Sequence, residues 1–314
     1  MNGYPVILNP EGTSRPIAFG SAGTICQVSD GEVVKAPLKH NFEVCSEEVI
    51  KSIQNEEDFS ELCINREKVI YNSLPKYPNI LDFIAITEQG LRFPFMRLGN
   101  LRDYMQSHNN QLDSYIRDQW ITSAASAIAI LHSNGVVHAD ISTRNFLVAD
   151  DLSIKLCDFS GSKIGDLEPF VEEEDRYRMS PWTARSKMTD IFALGCLIYE
   201  ISTGLRPYHE IDDEHYEEIE RRYAAQEFPC LDGIRYQDII YKCWTSQYAG
   251  VDQIVQDISS CIEGGEAGRD ASSSETGISH HLICLPSASF IVPALTLLTV
   301  GYTTSWLYRM ESRR

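Results

Sequence analysis

The chain has 314 residues, of which 43% are hydrophobic and 23% charged, the composition of an ordinary globular protein. A formal charge of −18 at pH 7 argues against nucleic acid as a partner, because nucleic acids are bound through clustered Lys and Arg. Two interpretations of this charge stay open: an acidic surface that keeps the protein soluble, or a protein whose partners are basic peptides or free nucleotides.

The cysteines and the N-terminus both indicate the compartment. Nine cysteines are scattered without a C-x-x-C pair, which favours reduced, mostly buried thiols over a disulfide framework. The first ten residues contain no basic side chain and no apolar run long enough for a signal peptide. The sequence therefore predicts a cytoplasmic protein.

The first part of the chain, from Arg15 to about Thr87, predicts short strands around one helix. Residues 16–28, 32–36 and 80–87 read as strands, and residues 59–74 as a helix. Pro78 and Asn79 form the turn between that helix and the next strand.

From Leu101 onward the apolar residues recur at helical spacing. Residues 115–132 predict a helix with Ser114 as its N-cap and Asn134-Gly135 as its C-cap. Residues 190–202 predict a second helix, which ends at Thr203-Gly204. The expected fold class is therefore α+β, a β-rich part followed by a mostly helical part.

The C-terminal part differs in composition. Residues 263–281 are rich in Gly, Ser and acidic side chains, which predicts a flexible linker. Residues 282–308 contain no charged side chain and exceed the roughly 20 residues that a spanning helix needs, whereas residues 309–314 are basic. Three interpretations stay open for this apolar tail: a membrane anchor, a segment lying against protein or the membrane interface, or an ill-formed terminus.

A short loop carries the residues with the clearest chemistry. Asp140 and Asn145, five residues apart, can face one cavity, with Asp140 near an attacking hydroxyl and Asn145 on a metal ion. Asp158 is expected to end a strand, where a carboxylate can hold Mg²⁺ against phosphate oxygens.

These residues lie in two motifs that resemble those of the eukaryotic protein-kinase family. His138–Asn145 is similar to the catalytic loop H-R-D-x-x-x-x-N, and Asp158-Phe159-Ser160 is similar to D-F-G at the family spacing. The resemblance implies a two-lobed kinase fold that uses ATP and Mg²⁺ on a protein substrate. It also implies that Asp140 is the catalytic base or positions the acceptor hydroxyl, and that Asn145 and Asp158 are metal ligands.

Upstream residues resemble the family's phosphate-binding elements. Gly20 and Gly23 are similar to the second and third glycines of G-x-G-x-x-G-x-V, and Lys35 is similar to the lysine of V-A-I-K. The resemblance implies that Lys35 holds the α- and β-phosphates. It implies that Glu67 holds Lys35 from the N-lobe helix, with Glu61 as the alternative.

The adenine pocket follows from the same resemblance. Phe93-Pro-Phe-Met96 resembles the hinge between the lobes, with Phe93 as gatekeeper and Met96 as the backbone contact to adenine. Ile25 and Val33 above and Leu147 below would enclose the base, although each is equally plausible as a plain core residue.

The helix beginning at Asp190 resembles the D-x-W-S-x-G helix of protein kinases, in which the buried Asp accepts hydrogen bonds from the catalytic loop. The implied kinase domain covers residues 15–262, with an N-lobe of about 15–96, a C-lobe of about 97–262 and an extension of residues 1–14 before it.

Four positions depart from the family pattern. Ala18 replaces the first glycine of the loop, Ser160 replaces the glycine of D-F-G, and Arg178 begins the segment where A-P-E is expected. Ala139 replaces the Arg before the catalytic Asp, which makes the loop non-RD in type and predicts activity without activation-loop phosphorylation. The acidic run 172–175 is either solvated or attracts basic substrates.

Three hypotheses about function remain. The first is an active protein kinase, with Ser/Thr favoured over Tyr as acceptor. The second is a pseudokinase scaffold that binds nucleotide without turnover. The third is a small-molecule phosphotransferase of related fold.

Overall fold

A computed structural model of the chain describes residues 6–42 and 45–271, with side chains up to residue 264. The chain divides into two compact units, Met1–Glu263 and Gly264–Arg314. The first unit contains the sheets, the core and the candidate site. Of the second unit, the described residues include the end of one helix.

The N-terminal part is built on a five-stranded antiparallel sheet. Its strands lie in the order β2-β3-β4-β7-β6, and a separate pair is formed by β1 and β5. The strand bounds are β1 Val6–Ile7, β2 Pro16–Gly20, β3 Gly23–Ser29, β4 Glu32–Ala36, β5 His40–Asn41, β6 Ala85–Ile86 and β7 Leu91–Pro94.

One long helix packs against this sheet. Helix α1 spans Glu47–Ser73, so it begins twelve residues before the predicted start at residue 59. Of the added residues only Ile53 is buried, which is too little one-sided burial for a clear periodic signal. A helix propagates easily from a packed half. The strand predicted over residues 80–87 is wrong in length, because pairing there is limited to β6 and a bridge from Ile80 to Leu156.

The C-terminal part is mostly helical. Its helices are α2 Leu101–His108, α3 Ser114–Ser133, α4 Lys187–Thr203, α5 Tyr216–Ala224, α6 Gln237–Trp244 and α7 Val251–Ala271. Short strands form two antiparallel pairs, β8 Val136–Val137 with β11 Lys163–Ile164 and β9 Phe146–Val148 with β10 Ile154–Leu156. Single turns of 3-10 helix occur at Asn109–Gln111, Thr143–Asn145 and Asp213–His215. The predicted two-part α+β fold is confirmed.

The helix ends follow capping chemistry, with one correction. The N-cap of α3 is Asp113, whose side chain accepts the Ile116 N–H, and not the predicted Ser114. Either side chain has the required oxygen, and the entry path of the chain decides between them. Gly204 ends α4 with a φ of 76°, the left-handed conformation that favours glycine, as predicted.

A single large hydrophobic cluster joins the two parts. It contains Val33 and Phe93 from the sheet, Ile64 from α1, and the buried faces of α3 and α4. Helix α4 lies in its centre, with thirteen residues from Thr189 to Ile201 buried. The two lobes therefore share one continuous core instead of meeting across a polar boundary.

Helix α7 continues through Ala271, into the stretch predicted as a linker from residue 263. Its first turns are anchored in the core by Ile254 and Ile258, and further residues add to a formed helix at little cost. The apolar tail, residues 282–308, and the basic end lie outside the described residues. Among the residues described, none of the helices has the length and hydropathy of a membrane span.

The eight cysteines in the described part of the chain form no disulfide bond. Cys284 lies outside the described residues.

Candidate active site

One face of the five-stranded sheet carries Lys35 among apolar side chains. The β3–β4 register pairs Ile25 with Lys35, and the β4–β7 register pairs Val33 with Phe93. Residues opposite each other, or two apart on one strand, share a face, so all four side chains point to the same side. Lys35 is 8% exposed, and a buried ammonium group needs partners of opposite charge.

Two carboxylates from different parts of the chain supply these partners. Lys35 Nζ lies 2.7 Å from Glu67 Oε2 on α1 and 2.7 Å from Asp158 Oδ1, which follows β10. Glu61, the alternative to Glu67, instead lies 3.8 Å from the exposed Lys39. Residues 35, 67 and 158 thus meet at one point between the sheet, α1 and the C-terminal part.

The charges of this triad are set by their mutual contact. Burial alone would lower the pKa of Lys35, but the Asp158 and Glu67 carboxylates raise it above its usual range. For Asp158, removal from water would raise the pKa, and the Lys35 charge and its hydrogen bonds hold it well below the usual range. Lys35 is therefore a cation and Asp158 an anion at neutral pH.

Asp190 fixes the backbone of the loop that follows β8. Its Oδ2 accepts the His138 N–H at 2.8 Å and its Oδ1 accepts the Ala139 N–H at 2.9 Å. Its Oδ2 also lies 2.9 Å from His132 Nε2. Ala139 has a φ of 66°, so the loop holds a conformation that most residues avoid, and the buried carboxylate stabilises it.

Asp140 and Asn145 meet on this loop, as their spacing predicts. Asn145 Nδ2 donates to the Asp140 carbonyl at 2.6 Å and to its Oδ2 at 3.0 Å. Burial raises the pKa of Asp140 well above its ordinary value, against the opposing charge of Arg144. The Cys157 N–H donates to the Asn145 carbonyl at 2.9 Å, which places the Asp158 segment beside the loop.

Phe159 joins these segments through ring contacts. It is fully buried, with its ring centroid 5.0 Å from that of Tyr71 on α1 and 5.5 Å from that of His138. Its N–H donates to Glu67 Oε1 at 3.3 Å. The position of α1, and with it that of Glu67, is therefore tied to the loop that carries Asp158.

The glycine-rich segment forms the tight hairpin between β2 and β3. Gly20 and Gly23 are paired in register, with Ser21 and Ala22 as the turn. Gly23 has a φ of 147°, and a Cβ there would lie 2.4 Å from the Ala36 carbonyl oxygen, so the sheet itself requires this glycine. A Cβ on Gly20 would meet open space, which leaves room for a ligand beside this strand.

The predicted hinge follows β7. Phe93 is 5% exposed and its ring lies 5.3 Å from that of Tyr71. The Met96 carbonyl accepts the Gly99 N–H at 3.1 Å, and the Gly99 carbonyl accepts from Val148 at 2.9 Å. Leu147 precedes Val148 on β9 and is half-buried, so the hinge and Leu147 lie side by side.

The acidic run 172–175 fits neither of its two predicted interpretations, because each of its carboxylates is paired with arginine. Glu172 and Asp175 lie 2.6 and 2.5 Å from Arg178, and Glu172 and Glu173 each lie 2.8 Å from Arg185. These carboxylates order the segment instead of standing free in solvent.

Glu174 connects the same run to the loop of Asp140 and Asn145. It lies 2.9 Å from Arg102 on α2 and 2.7 Å from Arg144, and Arg102 also contacts Glu200 on α4 at 3.3 Å. Tyr177 donates to the same Glu200. This cluster, Arg102, Arg144, Glu174, Tyr177 and Glu200, is named the Glu174 cluster below.

Arg178, in the place of A-P-E, is buried and charged. In addition to Glu172 and Asp175 it contacts Glu220 on α5 at 2.5 Å. The sequence showed only that A-P-E is replaced, and did not predict a buried arginine surrounded by three carboxylates.

Three further polar residues of this region have partners that the sequence did not indicate. Arg66 donates from α1 to the carbonyls of Ser162 and Glu168 at 2.6 and 2.9 Å, Arg102 anchors the Glu174 cluster, and Ser160 donates to Asp158. Charged or hydroxyl residues are usually exposed, and only the spatial partner distinguishes a buried one.

Comparison with known proteins agrees with this geometry. Residues 21–250 match the family of protein tyrosine and serine/threonine kinases. Among curated proteins, the tyrosine-protein kinases Abl and Drl of Drosophila melanogaster are 28% and 27% identical to the chain, over 54% and 71% of its length. A probable LIM domain-containing serine/threonine-protein kinase of Dictyostelium discoideum is 24% identical over 75% of it.

These alignments cover 11%, 40% and 37% of the three relatives, so the chain corresponds to a part of each. The region matched by the family, residues 21–250, includes the triad of Lys35, Glu67 and Asp158 and the loop of Asp140 and Asn145. The match of the family over most of the chain, together with the two-lobed fold, leads to one conclusion: the chain belongs to the protein tyrosine and serine/threonine kinase family.

Proposed function

We propose that the chain transfers the γ-phosphate of ATP, with Mg²⁺, to a hydroxyl group of a protein substrate. The observation that carries the proposal is the meeting of Lys35 with Glu67 and Asp158, at 2.7 Å each, beside Asp140 and Asn145. A cation and several oxygen donors at one cleft suit a magnesium-bound triphosphate.

The residues present fit Mg²⁺. In the part of the chain that the structure describes, no group of three His, Cys, Asp or Glu forms a complete metal site. Mg²⁺ is usually held by one or two carboxylates and completed by substrate phosphates and water, which matches Asp158 with the Asn145 carboxamide. The bound ion would neutralise negative charge that develops on the phosphate oxygens.

The remaining roles follow from position. Lys35 would hold the α- and β-phosphates, with Glu67 keeping it in place, while Gly20 and Gly23 shape the strand above them. Asp140 would orient the acceptor hydroxyl and take its proton, a role for which the raised pKa of this carboxyl is suited. Ile25, Val33, Phe93, Met96 and Leu147 would enclose the adenine.

We propose serine or threonine as the acceptor. In support, the serine/threonine relative aligns over a larger share of the chain, 75%, than the two tyrosine kinases do. Phosphoamino-acid analysis of a phosphorylated peptide library tests this choice, and phosphotyrosine as the main product would reverse it.

Transfer from labelled ATP to peptides tests the reaction. Lys35→Met and Asp140→Asn should each lower kcat/KM by about a hundredfold or more, since each removes a group that acts on the reacting atoms. Lys39→Met and Asp150→Asn, both at exposed positions, are the matched controls and should keep the activity.

The other two hypotheses are outcomes of this experiment. Binding of Mg·ATP with no turnover in the wild type, or equal activity in Lys35→Met and Asp140→Asn, would point to a scaffold. Transfer to sugars, choline or aminoglycosides in place of peptides would point to a small-molecule phosphotransferase.

A further inference from the structure

Ser160 makes a contact that a glycine at its position could not make. Its side chain is buried, at 4% exposure, and its Oγ donates to Asp158 Oδ1 at 2.6 Å. This is the length of a strong O–H···O⁻ hydrogen bond. The Ser160 N–H also approaches Oδ1, but at 3.4 Å, beyond the usual range for an N–H donor.

The donors to this carboxylate converge on one oxygen. Within the described residues, Lys35 Nζ and the Ser160 hydroxyl both bind Oδ1 of Asp158, at 2.7 and 2.6 Å. The two contacts use the lone pairs of Oδ1 and leave Oδ2 as the oxygen available to a metal ion. The orientation of the carboxylate is therefore set by two side chains.

The backbone around Asp158 gives the side chain little other support. Asp158 has a φ of 65°, in the left-handed region that is unfavourable for most residues. Its neighbours are held by the bonds from Cys157 to the Asn145 carbonyl and from Phe159 to Glu67. These bonds fix the main chain on both sides but do not fix the rotation of the Asp158 carboxylate.

We infer that Ser160 is a positioning residue, whose hydroxyl holds Asp158 in the orientation that presents Oδ2 to Mg²⁺. The inference rests on the proposed function, in which Lys35 binds nucleotide phosphates. When Lys35 is shared with the phosphates, the Ser160 hydroxyl is the donor that still constrains Oδ1. Ser160 therefore tunes the affinity for the metal–nucleotide complex, through the ligand Asp158.

The test measures metal dependence apart from turnover. The unfolding temperature of the full chain is followed while MgCl₂ is titrated at a fixed concentration of a non-hydrolysable ATP analogue. Ser160→Ala should raise the Mg²⁺ concentration at half-maximal stabilisation by about tenfold, the effect typical of losing a group that orients a metal ligand. Ser160→Gly should behave in the same way, and Ser160→Thr, which keeps the hydroxyl, should restore a near wild-type midpoint.

Ser162→Ala is the matched control. Ser162 is fully buried two residues further on, and its hydroxyl donates to the His138 carbonyl at 2.9 Å. Its loss should lower the unfolding temperature in EDTA without moving the Mg²⁺ midpoint. Unfolding curves in EDTA also show whether each Ser160 variant is folded.

Three results would contradict the role of Ser160. Ser160→Ala and wild type could have the same Mg²⁺ midpoint within twofold, or Ser162→Ala could shift the midpoint as much as Ser160→Ala does. The third is a wild type that shows no Mg²⁺-dependent stabilisation. Failure of this inference is distinct from that of the proposed function. A wild type that transfers phosphate while Ser160→Ala keeps its midpoint refutes the role of Ser160 alone. A shifted midpoint in a protein without turnover supports it and refutes the transfer reaction.

Discussion

A single buried carboxylate, Asp190, shapes the loop on which the proposed chemistry takes place. It is completely buried and accepts from two successive backbone N–H groups and contacts a histidine, so its loss would leave several buried donors without an acceptor. Such groups are costly because water cannot replace the lost partner. At the scale of single residues, the contribution of a side chain to stability depends more on its burial and its hydrogen-bond partners than on its residue type.

Asp190→Ala should therefore destabilise the protein by about 3 kcal/mol or more, the combined effect of unpaired donors at His138, Ala139 and His132. Urea unfolding measures the change, with the exposed Asp150→Ala as control. Equal losses in the two variants would contradict the anchoring role of Asp190.

Glu173 should make the stability depend on pH. Burial raises the pKa of Glu173 to about 7, with the Arg185 guanidinium opposing the shift and the Asp190 carboxylate adding to it. Because the folded-state pKa lies above the unfolded value, this group's stabilising contribution is complete below about pH 4.3 and is lost as the pH rises through 7.

Glu173→Gln stays uncharged and should escape this loss. Relative to wild type, its free energy of unfolding is expected to rise by about 1 to 3 kcal/mol between pH 5 and pH 8. Glu172→Gln, in the same segment and also bound to Arg185, is the control. Parallel pH curves for Glu173→Gln and wild type would show that the carboxylate is charged throughout.

At the scale of elements, the activation segment between Asp158 and α4 is ordered by charge pairs within the chain. The Glu174 cluster joins this segment to α2, the catalytic loop and α4. Arg66 adds a contact from α1, with its guanidinium 4.2 Å from the Phe170 ring. The chain thus supplies carboxylates where a segment of this kind could otherwise be ordered by a phosphate group.

Glu174→Ala should lower kcat/KM for peptide phosphorylation by about ten- to a hundredfold, because Arg102 and Arg144 lose their shared partner and the segment shifts. The KM for ATP should change little, since Lys35 and Glu67 do not contact the cluster. Glu168→Ala, at an exposed position in the same segment, is the control.

Equal effects of Glu174→Ala on the KM for ATP and on peptide phosphorylation would contradict this role of the Glu174 cluster.

The prediction that activity needs no activation-loop phosphorylation can be tested on the same protein. Phosphatase treatment of the wild type should leave its rate unchanged, whereas a loss of activity would show that a phosphate is also needed.

At the scale of the whole molecule, one hydrophobic cluster spans the sheet, α1 and the C-terminal helices. Helix α7 completes it, with Val251, Ile254 and Ile258 exposed by 3%, 0% and 0%. The hydrophobic core of the C-terminal part is therefore complete only when α7, near the end of the described residues, packs against it.

A chain that stops after Gly250 loses three buried side chains, and with them about 5 kcal/mol or more of hydrophobic stabilisation. This is comparable to the whole free energy of unfolding of a domain, so the shortened chain should not unfold cooperatively. A chain that stops after Ala271 keeps every buried side chain of the described core and is the control. Calorimetry compares the two, and equal melting temperatures would show that α7 contributes nothing to the core.

The sequence by itself determined the fold class, the family and the residues that meet at the cleft. Asp140, Asn145 and Asp158 lie in short motifs whose spacing is read locally, and the periodicity of α3 and α4 comes from one-sided burial along the chain. Gly204 could be placed because the left-handed C-cap favours glycine whatever the surroundings.

The tertiary structure decided which polar residues are buried and with what partner. Glu67 was chosen over Glu61, and Glu174 was paired with Arg102, through groups that lie far away in the chain. Ser160 and Asp158 are near neighbours in the sequence, but the burial of the Ser160 side chain is set by the fold around it. Local spacing limits backbone conformation, but the energy of a buried charge or hydroxyl depends on the partner it meets in space. That partner is fixed only when the whole core is packed.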